Sequence, residues 1–241
     1  VLVQLIFGLH YLTTSLIVDR VDAFEWTAIR ILFAGILMFL FYRKRILNFP
    51  KGKDWNFLII LSLLGIILNT ALFTKGLELT TPAHASLLSC MIPVMTLIFA
   101  WILGHEEMNR YKSLSLIIAM SGALILLGID DLDISSDLFL GDILVFINFT
   151  CFGLFLVLSK SMIKHHSPLG LSVLVMSIGA VLLVPFSVKG LYLNHEVWLS
   201  LPWWIYVAAF YSIFFATVVT YSLNYYAMSH VDSSKVALFI Y

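Results

Sequence analysis

Four ionisable side chains lie within or beside long apolar segments, where they are the residues best suited to chemistry. Arg30 could form an ion pair or hydrogen bonds inside a helix bundle, including with a substrate carboxylate, or it could be a structural tie that extends toward polar surroundings. Lys75 could attract an anionic substrate or place its ammonium group at a membrane interface. His10 and His84 could carry protons, because imidazole titrates near neutral pH, or they could be ordinary hydrogen-bonded side chains.

Uncharged polar residues in the same apolar segments form a wider set of candidates. Several recur at helical spacing, so they share one face of a helix, and we expect that face to point away from lipid. These residues could surround a solute, or they could only hold helices together through hydrogen bonds. With His10, the predicted substrate-binding residues are Gln4, Tyr11, Asn69, Ser86, Cys90, Asn148, Tyr221 and Asn224.

Pro93 lies in the middle of an apolar segment that is otherwise typical of a helix. A proline at such a position kinks the helix and leaves one backbone carbonyl without its usual donor. The kink could be a gating hinge, the carbonyl could contact a substrate, or the bend could be fixed and without motion.

Signals for other kinds of chemistry are absent from the sequence or lack the required context. It contains no G-x-x-x-x-G-K-[ST] loop for nucleotide phosphates, and Asn109 stands where a zinc-binding H-E-x-x-H helix needs its second histidine. The two cysteines, Cys90 and Cys151, cannot by themselves form a disulfide framework or a metal cluster. We therefore predict no cofactor, no metal and no catalytic residue.

The composition indicates a chain that is solvated by lipid. Of 241 residues, 61% are hydrophobic and 12% are charged, and the mean hydropathy is +1.00; soluble domains carry about 25% charged residues. The 14 Lys and Arg residues balance the 14 Asp and Glu residues, which removes the electrostatic attraction that a nucleic-acid-binding protein needs. The sequence therefore predicts an integral membrane protein, with the lipid bilayer and no nucleic acid among its partners.

Stretches of about 20 apolar residues are long enough to cross a bilayer as helices. Eight stretches qualify, at residues 1–18, 24–42, 55–74, 84–104, 113–129, 139–162, 169–188 and 201–228, and a ninth begins near residue 234. Val1 and Tyr241 both lie within apolar runs. We therefore expect the sequence to be a piece of a longer protein.

The connectors between these spans differ in their content of Lys and Arg, which accumulates on the cytoplasmic side of membranes. Alternate connectors hold ten on one side (Arg43, Lys44, Arg45, Lys51, Lys53, Arg110, Lys112, Lys160, Lys164 and Lys235) and three on the other (Arg20, Lys75 and Lys189). This alternation supports the predicted spans and places the N-terminus in the cytoplasm. We expect a multi-pass protein of the cell membrane.

Short segments of the first half of the chain recur, in the same order, in the second half. Phe-Gly-Leu at residues 7–9 recurs at residues 152–154, and Lys-Gly-Leu at residues 75–77 corresponds to Tyr-Ala-Met at residues 226–228. Residues 1–135 and 136–241 are therefore predicted to be two five-helix repeats, the second truncated. An odd number of spans inverts the second repeat in the membrane, an arrangement in which many secondary transporters form a central site.

Further features across the chain match those of a known family. Arg30 lies in the second span, Lys75 and Gly76 lead into the fourth span, and Pro93 lies inside that span. Glu106 follows the fourth span, and small residues from Gly122 to Gly128 mark the fifth. Taken together, these features resemble the EamA-type permeases of the drug/metabolite transporter superfamily over essentially the whole chain.

The resemblance implies an all-α integral membrane fold with inverted five-helix repeats. Ten helices are expected in the carrier, and about eight and a half spans are present in this sequence. It implies a secondary transporter, and no enzyme, that moves a small metabolite, amino acid or drug-like solute by alternating access. To Arg30, Lys75, Pro93 and Glu106 we assign structural or gating roles.

Two other functions stay open from the sequence. An intramembrane enzyme of the prenyl-transfer type would use Asp130, Asp131 and Asp133 to hold Mg²⁺ and a diphosphate. That enzyme would need a second acidic cluster and facing basic residues, whereas the acidic segment contains no Lys or Arg. A channel or a structural membrane protein is the other alternative, and a homodimer is one arrangement that the sequence permits.

Overall fold

The computed structural model describes residues 2–46, 50–126 and 137–238, and within them the chain is helical, without β-strands. Eight long helices follow one another: α1 Leu2–Val18, α2 Ala23–Tyr42, α3 Lys53–Leu79, α4 Pro82–Ile102, α5 Arg110–Leu126, α6 Asp137–Ile163, α7 Pro168–Leu193 and α8 Trp203–Met228. A short helix, His195–Leu199, connects α7 to α8, and helix α9, Ser233–Leu238, follows α8.

Each of the eight predicted spans corresponds to one of the helices α1 to α8. Six of these helices are long and apolar enough to cross a membrane, namely α2, α3, α4, α6, α7 and α8. The other two, α1 and α5, have 17 residues each in the described part of the chain, and both predicted spans continue into residues outside it. The prediction of an all-α integral membrane protein is confirmed.

Local sequence signals explain where several of these helices begin. The Asp22 carboxylate accepts hydrogen bonds from the backbone N–H groups of Phe24 and Glu25 at 2.9 and 3.0 Å, which caps α2. Thr81 and Ser167 cap α4 and α7 in the same way, and each is followed by a proline in the first turn. These caps satisfy N–H groups that the helix itself cannot satisfy.

Three helices depart from regular α geometry in their middle sections. A π-helical turn occupies Leu63–Leu68 in α3, and another occupies Phe214–Val219 in α8. In α4 a turn at Ser89 and Cys90 separates Pro82–Leu88 from Met91–Ile102. Pro93 explains this break, because it has no N–H to donate to the carbonyl of Ser89, four residues earlier.

The helices pack around a large apolar core and a smaller apolar cluster between α1, α2 and α8, and large apolar side chains also cover the outer surface. α2 packs against α7, α6 lies between α3 and α4, and α1 packs against α8. Outward-facing side chains such as Leu40, Ile118 and Val181 are more than half exposed. An apolar outer surface of this kind suits contact with lipid and would be unusual for a protein in water.

A close approach of α3 to α6 depends on glycine. A Cβ atom on Gly141 would lie 2.7 Å from the backbone nitrogen of Thr80 and 2.9 Å from the carbonyl oxygen of Gly76. Both neighbours are backbone atoms, which cannot rotate away as a side chain can. Glycine is therefore required for this contact.

We predict that Gly141→Ala lowers the thermal unfolding temperature of the protein in detergent, because overpacking costs about 1–3 kcal/mol. The matched control is Gly8→Ala in α1, where an added Cβ atom meets nothing within 4 Å. That substitution should leave the unfolding temperature unchanged or slightly higher, since alanine favours helix. Equal unfolding temperatures for Gly141→Ala and the wild type would contradict the close packing of α3 on α6.

Candidate functional site

A central cavity of about 60 Å³ lies between six helices from both halves of the chain. It is lined by Phe7, His10 and Tyr11 of α1, Arg30 of α2, Asn69, Thr70 and Phe73 of α3, Ile92 of α4, Asn148, Phe149 and Phe152 of α6, and Ala216, Thr217 and Tyr221 of α8. The lining combines an apolar, largely aromatic wall with a few polar groups, which is typical of small-molecule sites.

The Arg30 guanidinium and the His10 imidazole form the charged side of the cavity. Both side chains are buried, and Nη1 of Arg30 lies 2.9 Å from Nε2 of His10. The other ring nitrogen of His10, Nδ1, lies 3.2 Å from the hydroxyls of Thr14 and Ser212. The ring also stacks on Phe73, with centroids 5.6 Å apart, so the imidazole is fixed by contacts on three sides.

Two asparagines and a tyrosine form the amide side of the cavity. Asn69 donates a hydrogen bond to the Tyr221 hydroxyl at 3.0 Å, and that hydroxyl donates to the carbonyl of Gly65 at 2.5 Å. The side-chain amide of Asn148 contacts both the backbone and the side-chain oxygens of Asn69. The π-helical turn of α3 contains Gly65 and ends immediately before Asn69. The irregular backbone of α3 therefore lies next to the amide side of the cavity.

The structure brings six of the predicted residues together at the cavity, namely His10, Tyr11, Arg30, Asn69, Asn148 and Tyr221. Four others do not line it. Gln4 is half-buried on α1, Asn224 is buried in α8, and Ser86 and Cys90 are exposed on α4. A role in substrate binding for these four stays a prediction.

The residues expected to have structural or gating roles lie at different levels of the bundle. Lys75 forms an ion pair with Glu78 at 2.9 Å, and both side chains are about one third exposed. Pro93 follows the break in α4 and is half-buried. A gating role for Lys75 or Pro93 stays a prediction, because their positions alone do not show motion.

Two buried carboxylates were not singled out from the sequence. Asp142 of α6 accepts a hydrogen bond from the Thr80 hydroxyl at 2.5 Å and lies 2.9 Å from Nδ1 of His84. Glu25 of α2 accepts hydrogen bonds from Asn194 and Trp198 at 2.6 and 3.2 Å. The signal that identifies Arg30, an ionisable residue within a predicted span, applies equally to both residues.

Glu106 connects the α4–α5 loop to the start of α9. Its carboxylate lies 2.9 Å from Nζ of Lys112 and accepts a 3.4 Å hydrogen bond from the backbone N–H of Ser234. Burial alone would raise the pKa of Glu106, but the hydrogen bonds from Ser234 and Lys112 and the ammonium charge hold that pKa below its ordinary value. The neighbouring residue Glu107 is exposed.

Metal and cofactor chemistry was predicted to be absent. In residues 2–46, 50–126 and 137–238, no group of three His, Cys, Asp or Glu side chains could hold a metal ion. The acidic cluster Asp130, Asp131 and Asp133, considered for Mg²⁺, lies outside these ranges. The fold and the cavity together thus define a multi-pass integral membrane protein with a polar site at its centre.

Comparison with known proteins identifies the family. The model of the EamA-like transporter family matches residues 1–128 and again residues 139–241. The chain belongs to this family and is a membrane transporter protein, as the resemblance to the drug/metabolite transporter superfamily implied.

Individual relatives agree with this assignment. The chain is 28% identical over 209 residues to the uncharacterized transporter YyaM of Bacillus subtilis (strain 168), which covers 86% of this chain and 68% of that protein. It is 26% identical over 242 residues to an uncharacterized transporter of Archaeoglobus fulgidus, over 100% and 82% of the two chains. A protein of known crystal structure shares the fold, with a TM-score of 0.64 over 99% of this chain and 83% of that chain at 14% identity.

We predict that Glu106→Gln lowers the unfolding temperature at neutral pH, because the variant loses its ion pair with Lys112 and weakens the connection to α9. Since the folded pKa of Glu106 is depressed, its contribution to stability is present above the unfolded pKa and is lost as the pH falls through the folded pKa. The difference between wild type and variant should therefore disappear in acid. Unfolding curves in detergent over a pH series measure it.

The matched control is Glu107→Gln, which removes the same charge from the adjacent exposed residue. Its unfolding temperature should follow that of the wild type at every pH, because surface charges contribute little to stability. An equal effect of the two substitutions would show that the Glu106 connection does not stabilise the fold.

Proposed function

We propose that this protein is a secondary transporter that moves a small solute across the cell membrane by alternating access, with the solute held in the central cavity. The observation that carries the proposal is the composition of the cavity wall. Side chains from α1 to α4 and from α6 and α8 meet there, so relative movement of the two halves of the chain would change access to the site.

Two inverted repeats, residues 1–135 and 136–241, are part of this proposal. If α1 corresponds to α6, then α3 corresponds to α8, and the contact of α3 with α6 has its counterpart in the contact of α8 with α1. The corresponding helices α2 and α7 pack against each other. The π-helical turns lie in α3 and α8, the third helix of each repeat. This pattern of contacts supports a pseudo-twofold relation.

The dimensions of the cavity support a change of conformation during transport. A volume of about 60 Å³ is below the roughly 300–1,000 Å³ of typical ligand sites, so separation of the helices would make room for a solute. π-helical turns and proline kinks are places at which helices commonly adjust. Both occur beside this cavity, in α3, α8 and α4.

Two polar connections at opposite ends of α4 are suited to be gates. At one end His84 contacts Asp142 of α6 at 2.9 Å. Beyond the other end, Glu106 contacts Ser234 of α9 at 3.4 Å. In the proposed cycle one connection opens while the other stays closed. The excess of Lys and Arg on the Glu106 side supports a cytoplasmic position for that connection. The homodimer stays a prediction.

The proposal is tested with the full-length protein in liposomes, by uptake of a radiolabelled panel of amino acids and metabolites with and without a pH gradient. We expect saturable uptake that is lost in Asn148→Ala, because this substitution removes an amide from the cavity wall. The gradient reports whether protons are coupled to transport.

The matched control is Thr150→Ala, on the same helix. Among the described residues its hydroxyl bonds only to the Phe146 carbonyl of its own helix, at 2.9 Å, and Thr150 does not line the cavity. Uptake by this variant should equal that of the wild type. Uptake that survives in Asn148→Ala would remove the central cavity as the transport site, and a folded protein that moves no member of the panel would refute the transport proposal.

A further inference from the structure

We propose that the transported solute carries a carboxylate group and that Arg30 is the residue that binds it. This inference depends on the proposed function, because it assigns a substrate class to the same cavity. It follows from the charge of the site: within the described part of the chain, a guanidinium faces the cavity without an anionic partner.

Arg30 is the only buried residue among the lysines and arginines whose side chains the structure describes, with 2% of its surface exposed. Its hydrogen-bond partner there is His10, and its Nε atom has none. Buried cations in proteins are normally paired, because removal of a charge from water is costly. A guanidinium presents five N–H donors in a planar fork that matches a carboxylate, so most of its bonding capacity is still available.

His10 does not supply the missing negative charge, and the geometry requires it to be neutral. A guanidinium nitrogen can only donate a hydrogen bond, so Nε2 of His10 must be the acceptor. The ring proton is then on Nδ1, where the hydroxyls of Thr14 and Ser212 lie at 3.2 Å. The Arg30–His10 pair therefore carries one positive charge.

The buried carboxylates of the described chain are occupied elsewhere. Glu25 accepts hydrogen bonds from Asn194 and Trp198, and Asp142 is bound by Thr80 and His84. Neither lines the cavity. The counter-charge of Arg30 is thus absent from the described residues, and a bound solute can provide it.

The opposite side of the cavity indicates what the rest of the solute should offer. Nδ2 of Asn148 is engaged by Asn69, while Oδ1 is buried without a hydrogen-bond partner among the described residues. This oxygen can accept a bond from a hydroxyl or an ammonium group. The aromatic side chains Phe73, Phe149 and Phe152 form an apolar wall. A small hydroxy acid or amino acid with an apolar body fits these three features.

The first experiment compares acids with their neutral amides, using the full-length wild-type protein in detergent and in liposomes. Lactate is paired with lactamide, and phenyllactate with phenyllactamide; alanine and phenylalanine show whether an amino group is accepted in place of the hydroxyl. A ligand that binds the folded state raises the unfolding temperature. We expect acids to raise that temperature and to compete for uptake, and their amides to be weaker by on the order of thirtyfold.

The second experiment replaces Arg30, the proposed carboxylate-binding residue. Arg30→Gln should abolish the stabilisation by acids, and Arg30→Lys should retain a part of it, because lysine keeps the charge but not the planar fork. A purely structural role for Arg30 would lower the unfolding temperature without changing the preference for acids over amides. The comparison within the wild type remains decisive if Arg30→Gln does not fold.

The outcomes separate the two proposals. Saturable transport of neutral or cationic solutes, with amides as effective as acids, would overturn the carboxylate assignment and leave the transport function standing. Absence of any transport or stabilisation across the panel would overturn both. A preference for acids that persists in Arg30→Gln would show that another residue binds the carboxylate of the solute and would overturn the assignment of Arg30.

Discussion

Lipid offers no hydrogen-bond partners, and this constraint determines which way the polar groups of this protein face. Its outer surface is apolar, with Leu40, Ile118 and Val181 exposed, whereas the guanidinium of Arg30 and the amides of Asn69 and Asn148 point into the bundle. Each of these groups must find a partner in the interior or remain unsatisfied at considerable cost. The polar atoms of Arg30 and Asn148 that lack a hydrogen-bond partner among the described residues belong to side chains that line the central cavity. Residues that hold the helices together can therefore also bind a solute.

The irregular backbone of the bundle lies close to this polar centre. The π-helical turn of α3 contains Gly65, whose carbonyl oxygen accepts hydrogen bonds from both the Asn69 side chain and the Tyr221 hydroxyl. Regular helices satisfy their own carbonyl groups and would leave fewer acceptors at the site. The same departures from ideal geometry are points where helices can change shape with little loss of hydrogen bonding.

Polar connections near the ends of the bundle complete this arrangement. Asp142 with His84 at one end and Glu106 with Lys112 and Ser234 at the other join different helices through a few hydrogen bonds. Connections of this size can stabilise a closed state and still be broken during a transport cycle. The close approach of α3 to α6 at Gly141 is different, because it depends on backbone contacts that a side-chain rotation cannot relieve.

The sequence by itself determined the membrane class, the positions of the eight helices and the family. A bilayer requires each span to be a helix of about 20 apolar residues, and such stretches can be read directly from the sequence. It also identified six residues of the cavity, since polar side chains within apolar spans are more stable facing the interior than facing lipid. It could not show that Ser86 and Cys90 are exposed while Thr217 lines the cavity, because the rotation of each helix is set by its neighbours. It also could not show that Glu25 and Asp142 each accept two hydrogen bonds, whereas Arg30 contacts the neutral His10 and has no anionic partner among the described residues. Only the tertiary structure decided this difference, because pairing depends on which residues of distant helices come within about 3 Å of one another.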